Sequence, residues 1–244
     1  MLSMLVTRPE PDASDTAARL AALDITAIRA PLLTFTLLPT TLPAAEGFAA
    51  LAVTSANTLR ALHDRGEVPR FRHLPVFAVG ERTASAAREL GFDRVTSANG
   101  DLTALVEKLA LAGISGPILH PAARDRSTDL AQALAPHGIM VITAAIYAME
   151  PAPRLDDAIL AALDNGTVAA ALFYSRRTAE TFVSLADSRL GRPAHVKLGM
   201  LCLSEAVAAP LVDAHFVRVG LADHPSEEAM MALALSFARD QNPA

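Results

Sequence analysis

Short apolar runs alternate along this chain with segments in which apolar residues recur every three or four positions, so strands and helices are expected to alternate from end to end. Strands are expected at 3–7, 25–30, 48–54, 76–79, 94–96, 117–120, 139–147, 168–174, 197–203 and 216–219. Helices are expected at 12–23 (with Asp12 or Ser14 as N-cap), 56–63, 81–90, 101–112, 124–135, 155–163, 175–186, 205–214 and 226–238, and 65–74 reads as a charged loop. Most strand runs are apolar on both faces, which calls for an α/β protein whose parallel sheets are covered by helices on both sides.

Part of the pattern is written twice. Displacing the chain by 124 positions lays Ala78–Val95 on Cys202–Val219, with Glu81 on Glu205, Ala84 on Ala208, Phe92 on Phe216, Arg94 on Arg218 and Val95 on Val219. A second echo, at 120 positions, sets Ser55–Thr58 on Ser175–Thr178, each directly after an apolar strand. Two similar α/β lobes follow, and a site between them is the first expectation. Proline-bearing extended stretches near 31–43 and 147–153 mark two crossovers. They divide the chain into one lobe of 1–33 plus 150–244 and another of 36–147, a duplication with its first units exchanged.

Composition narrows the classes. The chain has 244 residues, 52% hydrophobic and 19% charged, and no apolar run long enough for a membrane span. The start, MLSMLVTRPEPD, lacks the basic flank of a secretory signal. A single cysteine, Cys202, excludes a disulfide framework and suits a reducing, cytoplasmic setting. A formal charge of −5 argues against broad nucleic-acid or anionic-membrane binding. Nineteen arginines stand against two lysines, and arginine suits bidentate recognition of carboxylates.

Ligands of open α/β sheets bind outside the carboxyl ends of the strands. The residues there are Thr7-Arg8-Pro9, Thr54-Ser55-Ala56-Asn57, Gly80-Glu81-Arg82-Thr83, His120, Tyr174-Ser175-Arg176 and Ser204-Glu205, most of them where a helix begins and offers free N–H groups to an anion. Taken singly, Ser55, Ser175 and Ser204 read as ordinary N-caps. Arg8 is the candidate for a carboxylate contact, with a structural ion pair as the alternative. Tyr147, beside the second crossover, offers a phenol that can donate a hydrogen bond to a departing hydroxyl, with a core tyrosine as the alternative. His120 reads equally as a satisfied structural histidine. Phosphate-loop, dinucleotide, zinc-hydrolase and serine-hydrolase motifs are missing from the sequence, and the histidines lack ligand spacing.

LVTRP at 5–9, AVTSAN at 52–57, FAVGERTASAARELGF at 77–92, AIYAM at 145–149, LFYS at 172–175 and LCLSEAVA at 201–208 occur in that order and together resemble a uroporphyrinogen-III synthase. The resemblance implies two flavodoxin-like, doubly wound parallel-sheet lobes joined by an extended two-stranded linker. It implies closure of the linear tetrapyrrole hydroxymethylbilane into uroporphyrinogen III, with inversion of ring D and loss of water, as a lyase without metal or organic cofactor. Tyr147 matches the family's tyrosine thought to assist hydroxyl departure, Thr83 the threonine of its VGxxTA motif, and Ser55 and Ser175 its strand-end serines. A small-molecule tetrapyrrole substrate, room for hand-over from the preceding pathway enzyme, no nucleic acid, no membrane and a monomer are expected. LSEAVA departs from the family's IGxTTA, with Ser204, Ala206 and Val207 in place of a glycine and two threonines. The competing reading is a non-catalytic two-lobed module that senses a small anion.

Overall fold

The computed structural model describes residues 2–126 and 129–241. The chain divides into two units, 1–35 with 150–244 and 36–149.

The first unit is built on five strands, β1 (Ser3–Val6), β2 (Thr26–Arg29), β9 (Val168–Phe173), β10 (Gly199–Cys202) and β11 (Arg218–Leu221), in the order β11-β10-β9-β1-β2 and all parallel. Counted within the unit this is the order 2-1-3-4-5 of a doubly wound sheet. Alternation along the strands feeds two cores. Leu5, Ala171, Phe173, Met200 and Cys202 point to one face, against α8 (Arg176–Ala186) and α10 (Glu205–Asp213). Met4, Val6, Ala170, Leu172 and Leu201 point to the other, against α1 (Asp12–Ala21) and α11 (Glu227–Gln241). Strands buried on both faces must be apolar throughout, which is why these runs show no polar alternation.

The second unit holds β4 (Ala50–Val53), β5 (Val76–Ala78), β6 (Val95–Ser97), β7 (Ile118–Ala123) and β8 (Val141–Pro151), with β3 (Leu33–Leu37) at the edge beside β8, in the order β3-β8-β7-β4-β5-β6. Strands β4 to β8 pair in parallel. Helices α5 (Leu102–Leu111) and α6 (Leu130–Leu134) cover one face through Leu105, Leu109, Leu130 and Leu134. Helices α2 (Ala56–Asp64) and α4 (Glu81–Glu89) pack together against β4 and β5. Apart from β3, this sheet is the first one permuted: β6-β5-β4-β7-β8 repeats β11-β10-β9-β1-β2. The chain passes between units once within β3 and once near the end of β8, and these strands are neighbours in the second sheet.

Local chemistry sets the element ends. Asp101, Asp129 and Asp156 accept backbone N–H groups at the starts of α5, α6 and α7 (Asp157–Asp164). Gly138, at φ +70°, takes the left-handed turn after the short 135–137 helix. Several expectations need correction. The helix expected at 124–135 is only Leu130–Leu134; 124–126 is not helical, and 127–128 lie outside the described residues. The charged loop at 65–74 contains α3 (Val68–Phe71), and 192–197, before β10, form α9 (Arg192–Lys197). The α1 N-cap is Pro11, because Ser14 bonds back to Glu10.

Phe182 joins the helical layer of the first unit to its sheet, edge-on to Phe173 at 5.2 Å and 6.0 Å from Phe216. Phe182→Ala is expected to cost about 3–5 kcal/mol in urea unfolding; a loss below about 1 kcal/mol would show that the surrounding core is not closely packed.

Candidate functional site

In each sheet one pair of neighbouring strands sends its helices to opposite faces, and there the strand ends stay uncovered. In the first unit the pair is β1 and β9, followed by α1 and α8. In the second it is β7 and β4, followed by α6 and α2.

The switch point of the second unit is hollow. A cavity of about 300 Å³ is lined by Thr54, Val79, Leu102, His120, Ala122, Ala123, Asp125, Arg126, Leu130 and Tyr147. Ser55 and Gly80 directly follow the lining residues Thr54 and Val79, so the starts of α2 and α4 lie beside the cavity. Ser55 caps α2 by accepting from Asn57 N at 3.2 Å, with Ala56 as the first helical residue. One turn on, the fully buried Thr58 Oγ1 has no hydrogen-bond partner. Thr83 is buried in the first turn of α4. Tyr147 is 4% exposed and reaches the cavity from β8. The β7–β8 register slips between Ala122 and Ala123, so that Ala122 pairs with Ala145 but Ala123 with Tyr147. Such an irregularity redirects the side chains beside it.

His120, left open in the sequence, lines this cavity. It is 2% exposed, and its Nδ1 lies 2.8 Å from Ala52 O. Burial pushes its pKa below the ordinary histidine value; the Ala52 carbonyl opposes this, Arg126 adds to it and Asp129 opposes it. The signal in the sequence was a polar residue ending an otherwise apolar strand.

The switch point of the first unit is filled. Thr7 is fully buried and donates its hydroxyl to Leu172 O at 2.6 Å. Arg8 donates to Glu227 at 2.5 Å, Asp12 at 2.8 Å and Thr16 at 3.1 Å, and its guanidinium lies 4.0 Å from the centre of the Tyr174 ring. Burial tends to lower the Arg8 pKa, but Asp12 and Glu227 outweigh it and hold the group above its ordinary value. The Tyr174 phenol donates to Glu227 at 3.0 Å, and burial first, then Glu227, raises its pKa. Of the two readings of Arg8, a ligand carboxylate or a structural ion pair, the geometry shows the second, with two carboxylates of its own unit. Pro9 O receives Ala13 N at the start of α1. Ser175 caps α8 through Thr178 N at 3.2 Å and meets Thr178 Oγ1 at 2.7 Å.

Ser204 begins α10 without a side-chain cap bond, in extended backbone at φ −162°, much as Gly80 begins α4 at φ −150°. Any residue adopts that conformation, and a Cβ on Gly80 would meet only Gly100 O at 3.8 Å. Serine in place of glycine therefore leaves this helix start intact. Val207, matching Thr83, is core. Cys202 is buried, with its thiol pushed up to about 12, which suits a small core residue.

A further hollow of about 250 Å³, lined by Asp164, Lys197 and Arg218 among others, lies at the amino ends of β9 and β11, away from the strand ends that hold ligands.

The family model described as uroporphyrinogen-III synthase HemD matches residues 14–232. The chain belongs to the uroporphyrinogen-III synthase family. The uroporphyrinogen-III synthetase of Helicobacter pylori shares its fold, with TM-score 0.70 and 20% identity over 97% of this chain and 99% of that one. A mutant uroporphyrinogen-III synthase of Thermus thermophilus does so with TM-score 0.61 and 18% identity over the whole of both chains. No curated protein sequence matches. Nothing in these comparisons favours the anion sensor over the synthase. Among the described residues no helix is long and apolar enough to cross a membrane, and no cluster of His, Cys, Asp or Glu could hold a metal ion.

A double-mutant cycle over Arg8→Met and Glu227→Gln is expected to give a coupling of about 1–3 kcal/mol in thermal or urea unfolding. Additive effects would mean that Arg8 does not depend on Glu227 and is available to a ligand.

Proposed function

We propose that the chain is a cyclising lyase that converts hydroxymethylbilane to uroporphyrinogen III, with the switch-point cavity of residues 36–149 as its reaction site. Membership of the synthase family supports the reaction; the observation that carries the site is Tyr147, the tyrosine of the resemblance, lining that cavity with the buried His120.

The first step breaks the C–O bond of the substrate's hydroxymethyl group. The oxygen leaves as water, taking a proton as the bond electrons depart, while the pyrrole nitrogen of the same ring gives up its N–H proton, so that an electron-poor, neutral azafulvene remains. The Tyr147 phenol donates the hydrogen bond that assists this departure. The substituted carbon of ring D then attacks the azafulvene carbon, giving a spiro intermediate that fragments and recloses with ring D inverted. Closure without inversion proceeds in water unaided, so the protein's task is to hold the chain in the geometry of the slower path and to exclude solvent. Val79, Leu102, Ala122 and Leu130 give the cavity an apolar side for a pyrrole ring, while Thr54, Asp125 and Arg126 make the rest of its wall polar.

The substrate's eight carboxylates meet positive potential from Arg126 at the cavity and from the starts of α2 and α4 beside it, Ser55, Ala56, Asn57, Gly80 and Thr83. In the first unit the backbone at Ser175 and Ser204, and the 7–9 turn, are the binding positions this reading retains. A cytoplasmic monomer that takes its unstable substrate directly from the preceding enzyme completes it.

Hydroxymethylbilane incubated with the protein and then oxidised is expected to give mainly type III uroporphyrin on chromatography; a product identical to the buffer control would contradict the assignment. Tyr147→Phe is expected to lower kcat by at least about tenfold while product affinity changes far less. Unchanged kcat would make Tyr147 a core residue.

A further inference from the structure

The His120 ring has one nitrogen accounted for and one not. Nδ1 faces Ala52 O, and a carbonyl oxygen only accepts, so Nδ1 carries the proton. Its burial keeps the ring neutral near pH 7, and Nε2 then bears a lone pair. Among the described residues no group donates a hydrogen bond to Nε2, although the side chain is almost wholly buried and lines the cavity. Nε2 is not among the fully buried polar atoms left without a partner, so it borders the open space of the cavity, where a ligand can bring it a donor.

The class of donor follows from the surroundings. A carboxylate offers only lone pairs and is repelled by another, so the acidic side chains of the substrate do not belong against Nε2. A pyrrole N–H is a neutral donor on a flat apolar ring, and the walls at Val79, Leu102, Ala122 and Leu130 suit such a ring. About 300 Å³ lies at the lower end of the roughly 300–1,000 Å³ common for ligand pockets, room for one substituted pyrrole and not for four. We propose that His120 Nε2 accepts the N–H of one pyrrole ring of the substrate and seats that ring in the cavity shared with Tyr147. The proposal rests on the synthase reading and adds to it a residue that fixes ring orientation, and with it the choice between closure with and without inversion.

Two substitutions separate this role from structural support. In His120→Asn the amide nitrogen falls where Nδ1 was and keeps the bond to Ala52 O, but nothing replaces Nε2. In His120→Gln the amide oxygen falls where Nε2 was, and the bond to Ala52 is given up. H120N is expected to melt like the wild type, to lose about tenfold in kcat/KM, and to release a larger share of type I product. H120Q is expected to melt lower yet exceed H120N in kcat/KM and in type III share. H120N with wild-type kcat/KM and isomer ratio would overturn the proposal, as would activities that merely follow the melting temperatures. Should H120N fail to fold, H120Q and H120M, alike in size, give the same contrast, and equal isomer ratios from them would overturn it. Wild-type protein that makes no type III product would remove the synthase reading and this inference together; an active wild type matched by H120N would remove the inference alone.

Discussion

The carbonyl oxygen near the end of each sheet's middle strand is the point on which both switch points turn. Where neighbouring strands send their helices to opposite faces, no helix covers the strand ends, and a carbonyl there needs a donor from within the sheet. Leu172 O receives the Thr7 hydroxyl, and Ala52 O, 120 positions earlier in a matching strand, receives the His120 ring. Each donor ties the two diverging strands together where the fold is least protected. The two donors differ in what they leave over. The threonine spends its one hydroxyl proton, and a short apolar methyl remains. The imidazole spends one nitrogen and keeps another, and that second nitrogen borders a cavity.

The same order of strands has thus been put to two uses. By register Met4 matches Ile118, which sets Arg8 against Ala122; by the offset of the repeats Tyr174 falls on Thr54, and Glu227, opening α11, falls near Leu102, opening α5. In the first unit the long members of these pairs meet and fill the gap with an ion pair and a stacked phenol. In the second the short members leave it open, and the residues that line it include the histidine and the tyrosine. Substitution at three positions, with no change of topology, accounts for one solid switch point and one hollow one.

Much of this was legible in the sequence. Strands buried on both faces announce themselves by unbroken apolar runs, and the echo of Glu81 in Glu205 and of Ser55 in Ser175 pairs α4 with α10 and α2 with α8. The helix at 124–135 was overdrawn, because β7 runs on through Pro121 to Ala123. Proline has no N–H to donate, and β7 carries Pro121 beside β8 where its pairing with β4 has already ended at Leu119. The role of Arg8 was only half visible: its position at a strand end pointed to a carboxylate, but Glu227 lies 219 positions away and no local pattern shows that it arrives there. His120 was ambiguous for a related reason. Its weight comes from Ala52, Tyr147 and Leu102, which the fold gathers from three other elements.

A neutral imidazole at His120 holds its own sheet through Nδ1 and, in the proposed mode, the substrate through Nε2. Nitrogen-15 NMR of the labelled histidine rings reads both nitrogens at once, with His120 assigned from the H120N variant. On addition of the reduced type III product, the His120 Nε2 resonance is expected to move as it accepts a hydrogen bond while Nδ1 keeps its proton and its partner. An Nε2 resonance that stays in place when the protein is saturated with product would contradict the account.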